Sequence, residues 1–289
     1  MIFYDYLSKS KMEDTNSTLP GFNRTSYEIN LTHANVIGTA IYYTFLLPVA
    51  IIGNLMNIFI SLQILTHRKS IPDLLILSLA LCDLLNVVSS QLPAIVALFA
   101  GEWLGGQTSC AYQYYMIWSC LKLAFMILVL MTIDRYIALC KPLYYRANIH
   151  QQKMKRIVMF LACFSFGSTS ISVIFHSEYI FMLDTWYLCI DAGNSDDPFF
   201  LGVLAFYGVS YFILLGIFIF CNISVVRCLR IRRSTLAENT SGFSFVSNSE
   251  KRFTELILRF SVVFVITWSA YIVSSFTKGI SILIILLGY

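Results

Sequence analysis

Four charged residues interrupt long apolar runs: Asp83, Lys122 and the adjacent pair Asp134-Arg135, which Tyr136 follows. A charge kept inside an apolar span is expensive, so it pairs with a polar group, lines a polar path or meets a ligand. Asp83 closes the stretch Leu79-Ala-Leu-Cys-Asp83, and Asn54 lies at a similar depth in the preceding run. Asn54 is a candidate hydrogen-bond partner for this acid, which serves either as a polar tie between segments or as a functional group. Lys122 sits too deep to snorkel easily to water. It either neutralises a ligand carboxylate or pairs internally. Asp134-Arg135 stands where its run ends, as an interfacial anchor or as half of a switch. Glu250, beside Lys251 and Arg252, precedes the last long run on the same side. A Glu250–Arg135 pair would hold two segment ends together. Breaking it would let one swing out and open a basic inner cavity, which is a two-state element.

Enzyme chemistry has no matching residue set. The 8 cysteines form no Cys-x-x-Cys pair and no cluster with histidine, which argues against a zinc site. There is no His-Glu-x-x-His, no Gly-x-Ser-x-Gly and no phosphate-cradling glycine loop. No catalytic residue, metal, cofactor or nucleic-acid partner is expected.

The elements that must position these groups are membrane spans. Of the 289 residues 57% are hydrophobic and 12% charged, against about 25% charged in a soluble domain. Six apolar segments are long enough to cross a bilayer: about Val36 to Leu65, Asp73 to Ala100, Cys110 to Cys140, Ile157 to Phe175, Phe199 to Val226 and Leu256 to Phe276. The third organises the rest. Cys110 to Arg135 covers about 37 Å of helix at roughly 1.5 Å per residue. That exceeds a hydrocarbon core of about 30 Å. Cys110 then lies just outside one membrane face and the Asp-Arg pair at the other. The expected fold class is all-α, a polytopic membrane helix bundle with six spanning helices.

Orientation follows from two independent signals. Residues 1–34 are polar and hold glycosylation acceptor sequences at Asn16, Asn23 and Asn30, which favour an extracellular tail. The basic residues Arg68, Lys69, Lys141, Arg146, Lys153, Lys155 and Arg156 fall on the opposite side, as do Arg227, Arg230, Arg232 and Arg233. By the positive-inside rule the N-terminus is again outside. This topology puts Cys110 and Cys189, the latter in the long second outside loop, in an oxidising compartment where pairing is expected. Their bond would pin the loop over the helix end. Residues 35–276 then form the transmembrane bundle. Residues 277–289 are either part of a seventh helix, a continuation of the sixth segment or an aberrant tail.

Together these residues resemble the rhodopsin-like (class A) G-protein-coupled receptors. The likeness is carried by Gly53-Asn54, Leu79-Ala-Leu-Cys-Asp83, Trp103 with Gly105 before Cys110, Asp134-Arg135-Tyr136 followed by Pro142, Cys189, and Phe264 with Trp268. Within that class the chain is most similar to the prostanoid receptors of the E-type prostaglandins. Gly101-Glu-Trp-Leu-Gly-Gly-Gln107, Asp184-Thr-Trp186-Tyr-Leu-Cys189-Ile-Asp191 and Phe220-Cys-Asn222 carry that part. Cys189 stands three residues after Trp186 rather than beside it, Ala270 replaces the usual sixth-helix proline, and no Asn-Pro-x-x-Tyr is present. The resemblance implies seven helices, of which six are seen, and a plasma-membrane receptor embedded in lipid. It implies a small lipid-like ligand, contacted by Thr185, Trp186, Lys122 and Trp268, and a heterotrimeric G protein at Arg135. Ile117 occupies the position where amine receptors carry an aspartate, so an amine ligand is disfavoured. Other readings are a truncated, non-signalling isoform that acts by dimerisation or retention, and a six-helix transporter or channel.

Overall fold

The computed structural model describes residues 41–100, 103, 105–176, 180–183, 188–191 and 198–238. Five helices among them are long and apolar enough to cross a membrane. Helix α1 (Tyr42–His67) begins with a π-helical turn over Tyr42–Leu46. Helix α2 (Ile71–Ala100) starts behind Ser70, whose side chain accepts from Asp73 N at 3.4 Å and donates to the Asp73 carboxylate. Pro72 in the first turn needs no hydrogen-bond partner there, which favours a helix start. Helix α3 (Gly106–Cys140) begins at a glycine with φ of 62°, a left-handed turn that an L side chain would strain. The short α4 (Pro142–Asn148) follows, also opened by proline. Helix α5 (Gln151–His176) and the 41-residue α6 (Pro198–Glu238) complete the helices. At about 1.5 Å per residue α6 is roughly 60 Å long, well beyond a bilayer core.

The five expected spans that fall on described residues are therefore helices, and the fold class is all-α. Their ends differ from the apolar boundaries because capping and polar turns extend a helix past its greasy part. The segment Leu256–Phe276 lies outside the described residues. The second outside loop adds an element that apolarity does not mark. Strands β1 (Ile180–Leu183) and β2 (Leu188–Asp191) form an antiparallel hairpin with Ile180 opposite Asp191 and Met182 opposite Cys189.

Helix α2 also carries a π turn, over Val87–Gln91, where Leu92 N donates to Val87 O five residues back. Pro93 sits two residues beyond the turn. It has no N–H to give the carbonyl four residues earlier, and its ring crowds that carbonyl. An inserted π turn accommodates both.

The described residues pack as two units, drawn from Met1–Ala124 with Met159–Phe200 and from Phe125–Val158 with Leu201–Tyr289. In the first, the two π turns meet: Tyr43, Leu47, Val87 and Ala94 form one buried cluster. Helices α3 and α5 approach through small residues. Ser165, fully buried, donates to the Ser119 carbonyl at 2.7 Å. Small hydroxyl residues suit membrane interfaces because backbones come close and the hydroxyl finds an acceptor. In the second unit Phe125, Val129 and Phe218 form the core, with Tyr211 stacked on Phe125 at 5.6 Å between ring centres. Many large apolar side chains on α1 face outward, among them Val49, Ile52, Met56 and Phe59, which is the arrangement lipid contact requires.

Candidate functional site

Of the candidate residues on described positions, Cys110 lies at one end of α3 and Asp134, Arg135 and Tyr136 near the other, Lys122 lies between them, and Asn54 and Asp83 lie on α1 and α2. At the outer end, left-handed Gly106 lets the chain turn from Trp103 into α3. The Trp103 indole Nε1 donates to Ser109 Oγ at 2.8 Å. One turn on, Cys110 and Cys189 are joined by a disulfide, with Cα atoms 5.3 Å apart. Both are buried with Ile180, against Trp103, Tyr114 and Val173. The bond expected between these two cysteines is thus formed, and it fastens strand β2 to α3.

Two glutamines that the sequence does not single out complete this end. Gln107 Nε2 donates to Ile180 O at 2.6 Å and so fastens the start of β1. Gln113 is 1% exposed. Its Oε1 accepts from Cys189 N at 2.8 Å and its Nε2 donates to Ser90 O at 2.8 Å. A glutamine three residues after the disulfide cysteine, inside an apolar run, is the signal that could have revealed it.

Deeper in the same unit, Lys122 Nζ donates to Ser168 Oγ at 3.0 Å, and Ser168 Oγ donates to Ser165 O at 3.1 Å. Lys122 is thus buried in a polar seam with α5. Asn54 requires a correction. Its Nδ2 donates to Ala50 O in its own helix at 3.0 Å, and no hydrogen bond joins it to Asp83. An amide four residues after a carbonyl on one helix reaches it without any tertiary packing, whereas reaching Asp83 needs a particular rotation of α1. Asp83 is half-buried on α2.

At the inner end Asp134 is 2% and Arg135 7% exposed. The Arg135 guanidinium lies on the neighbouring carboxylate, with Nε at 3.0 Å from Asp134 Oδ2 and its Nη2 on the same oxygen. Tyr145 of α4 donates its hydroxyl to Asp134 Oδ1 at 2.8 Å. Tyr136 meets Phe220 of α6 edge-on, 5.9 Å between ring centres. The two helices exchange thiol contacts below that, Cys140 Sγ to Ser224 O at 3.7 Å and Cys228 Sγ to Leu139 O at 3.4 Å. The ion pair that Arg135 makes among the described residues is with Asp134. Glu250, Thr185, Trp186, Trp268, Asn16, Asn23 and Asn30 lie outside the described residues. Among the described residues no three His, Cys, Asp or Glu side chains are grouped to hold a metal ion.

Comparison with known proteins identifies the family of the chain that carries these residues. The family model "7 transmembrane receptor (rhodopsin family)" matches residues 53–282. The chain belongs to the rhodopsin family of seven-transmembrane receptors. The rhodopsin-family match contains every described span except the first turns of α1. Curated relatives are receptors, not enzymes. The mouse (Mus musculus) thyrotropin-releasing hormone receptor is 25% identical over 152 residues, 52% of this chain and 38% of that protein. Mouse neuropeptide Y receptor type 6 is 22% identical over 241 residues, 79% of this chain and 63% of the relative. Mouse chemokine XC receptor 1 is 22% identical over 279 residues, 96% and 74%. The match to the first of these spans well under half of its length. This receptor is a multi-pass membrane protein.

Proposed function

We propose that this receptor takes an extracellular ligand at the outer end of α3 and relays the signal to a heterotrimeric G protein at the inner end, in the plasma membrane. Residues 1–34 would form a glycosylated outside tail. The observation that supports this most is the Asp134–Arg135 pair, buried and capped by Tyr145, within a chain that matches the family from residue 53 onward. A buried guanidinium held by its neighbour is a stored contact that a partner carboxylate or carbonyl can compete for. Ligand binding would shift the population toward the state in which that competition succeeds.

Two ligand classes have separate support. Relatives named for a neuropeptide and a chemokine point to a peptide or protein messenger. The sequences 101–107 and 184–191 point to a prostanoid-like lipid under Thr185 and Trp186. The hairpin pinned over α3 suits a peptide, which needs a fixed rim to lie against, and we take the peptide as the first class to test. The experiment is nucleotide exchange on purified heterotrimeric G proteins by membranes that carry the full chain, challenged separately with E-type prostaglandins and with thyrotropin-releasing hormone, neuropeptide Y and chemokines. A response that Arg135→Ala abolishes supports the receptor reading. Exchange triggered by the prostaglandins alone overturns the peptide class. Exchange that is unchanged by Arg135→Ala overturns the assigned relay.

A further inference from the structure

Hairpin β1–β2 has an edge. Strand β1 pairs with one side of β2, and on the other side the amide of Cys189 points away from the ladder. An unpaired strand-edge amide that is buried costs as much as a lost hydrogen bond. Here Gln113 Oε1 takes it at 2.8 Å. The other end of the same side chain donates to the carbonyl of Ser90 at 2.8 Å. Ser90 lies inside the π turn of α2. One carboxamide therefore bridges the outside loop and the bulge in α2, directly beneath the Cys110–Cys189 bond.

We propose that Gln113 is the positioning residue that seats the second outside loop: it holds β2 at a set height against the π turn of α2, while the disulfide alone only tethers it. Gln107 fastens β1 through Ile180 O and the disulfide holds the Cys189 side chain, whereas the bond from Gln113 fixes the backbone of β2 itself. The fit is specific to glutamine. An acceptor and a donor are needed at opposite ends of one planar group, and the side chain must reach across from α3 without a charge. This inference goes beyond the receptor reading and holds for either ligand class.

The test is hydrogen–deuterium exchange of the purified full chain in lipid discs, read at the Cys189 amide. Gln113→Met, near in volume but unable to bond, is expected to speed exchange there by about two- to tenfold, the factor one buried hydrogen bond supplies. Amides in the middle of α3 should be unaffected. If Gln113→Met does not fold, Gln113→Asn, which withdraws the amide by one methylene, is expected to give the same loss. Wild-type protection of Cys189 in the Met or Asn variant overturns the proposal.

Discussion

Tyr145 donates its hydroxyl to Asp134 at 2.8 Å, so the short helix after the Asp-Arg-Tyr triplet is tied to the carboxylate that holds Arg135. Tyr145→Phe deletes that bond and keeps the ring. A hydrogen bond to a charged group is worth about 1.5–3 kcal/mol when enclosed. Asp134 then keeps one fewer donor, and α4 loses its anchor. The expected outcome is a lower melting temperature of the purified chain and faster ligand-free nucleotide exchange. Both are measurable on the same preparation.

The disulfide closes a loop of sequence separation 79. In the chain-entropy picture a loop of that size is worth about 4 kcal/mol. Cys110→Ser and Cys189→Ser should each cut surface density severely and by equal amounts, and the double variant should be no worse. Quantitative surface labelling checks this. Additive losses would mean that the two thiols act separately.

Lys122 and Ser168 form one contact. Lys122→Met and Ser168→Ala should therefore lower thermal stability non-additively, with a coupling of about 0.5–3 kcal/mol in a double-mutant cycle. The measurement is thermal unfolding in the same detergent for all four chains. A ligand contact predicts something else: Lys122→Met would move ligand potency while Ser168→Ala left it alone.

Asn54→Ala removes a side chain that, among the described residues, bonds along its own helix to Ala50. It should cost no more than about 0.5 kcal/mol, like other substitutions away from buried networks. Asp83→Asn should behave the same with or without it. A strong interaction between the two substitutions would restore the direct tie that the geometry lacks.

Ser165 is fully buried where α5 meets α3 and donates to Ser119 O. Ser165→Ala loses one bond, about 1 kcal/mol. Ser165→Leu forces the helices apart, and overpacking of this kind costs about 1–3 kcal/mol more. Surface expression should fall in the order wild type, Ala, Leu.

Much of the site was legible in the residues themselves. The disulfide could be named because two cysteines share the outer face, and Asp134-Arg135 because charge at the end of an apolar run is rare. Lys122 was visible as a buried cation, but its partner was not. Ser168 lies 46 residues away on another helix, and several hydroxyls on α5 had equal claim. Asn54 was assigned to Asp83 by depth alone, and depth does not give rotation about the helix axis. Gln113 and Tyr145 went unremarked because a lone glutamine or tyrosine has many uses.

The sequence by itself determined the spans and the class of fold. Those follow from apolarity and charge, which are local, and from the rule that backbone groups in lipid must bond within their own segment. Only the tertiary structure decided which polar side chain meets which. Helix rotation sets those pairings, and the π turn before Pro93 shifts the rotation of everything beyond it. Gln113 bonds the Ser90 carbonyl inside that turn and the amide of Cys189, so it links α2 to the strand that Cys110 holds.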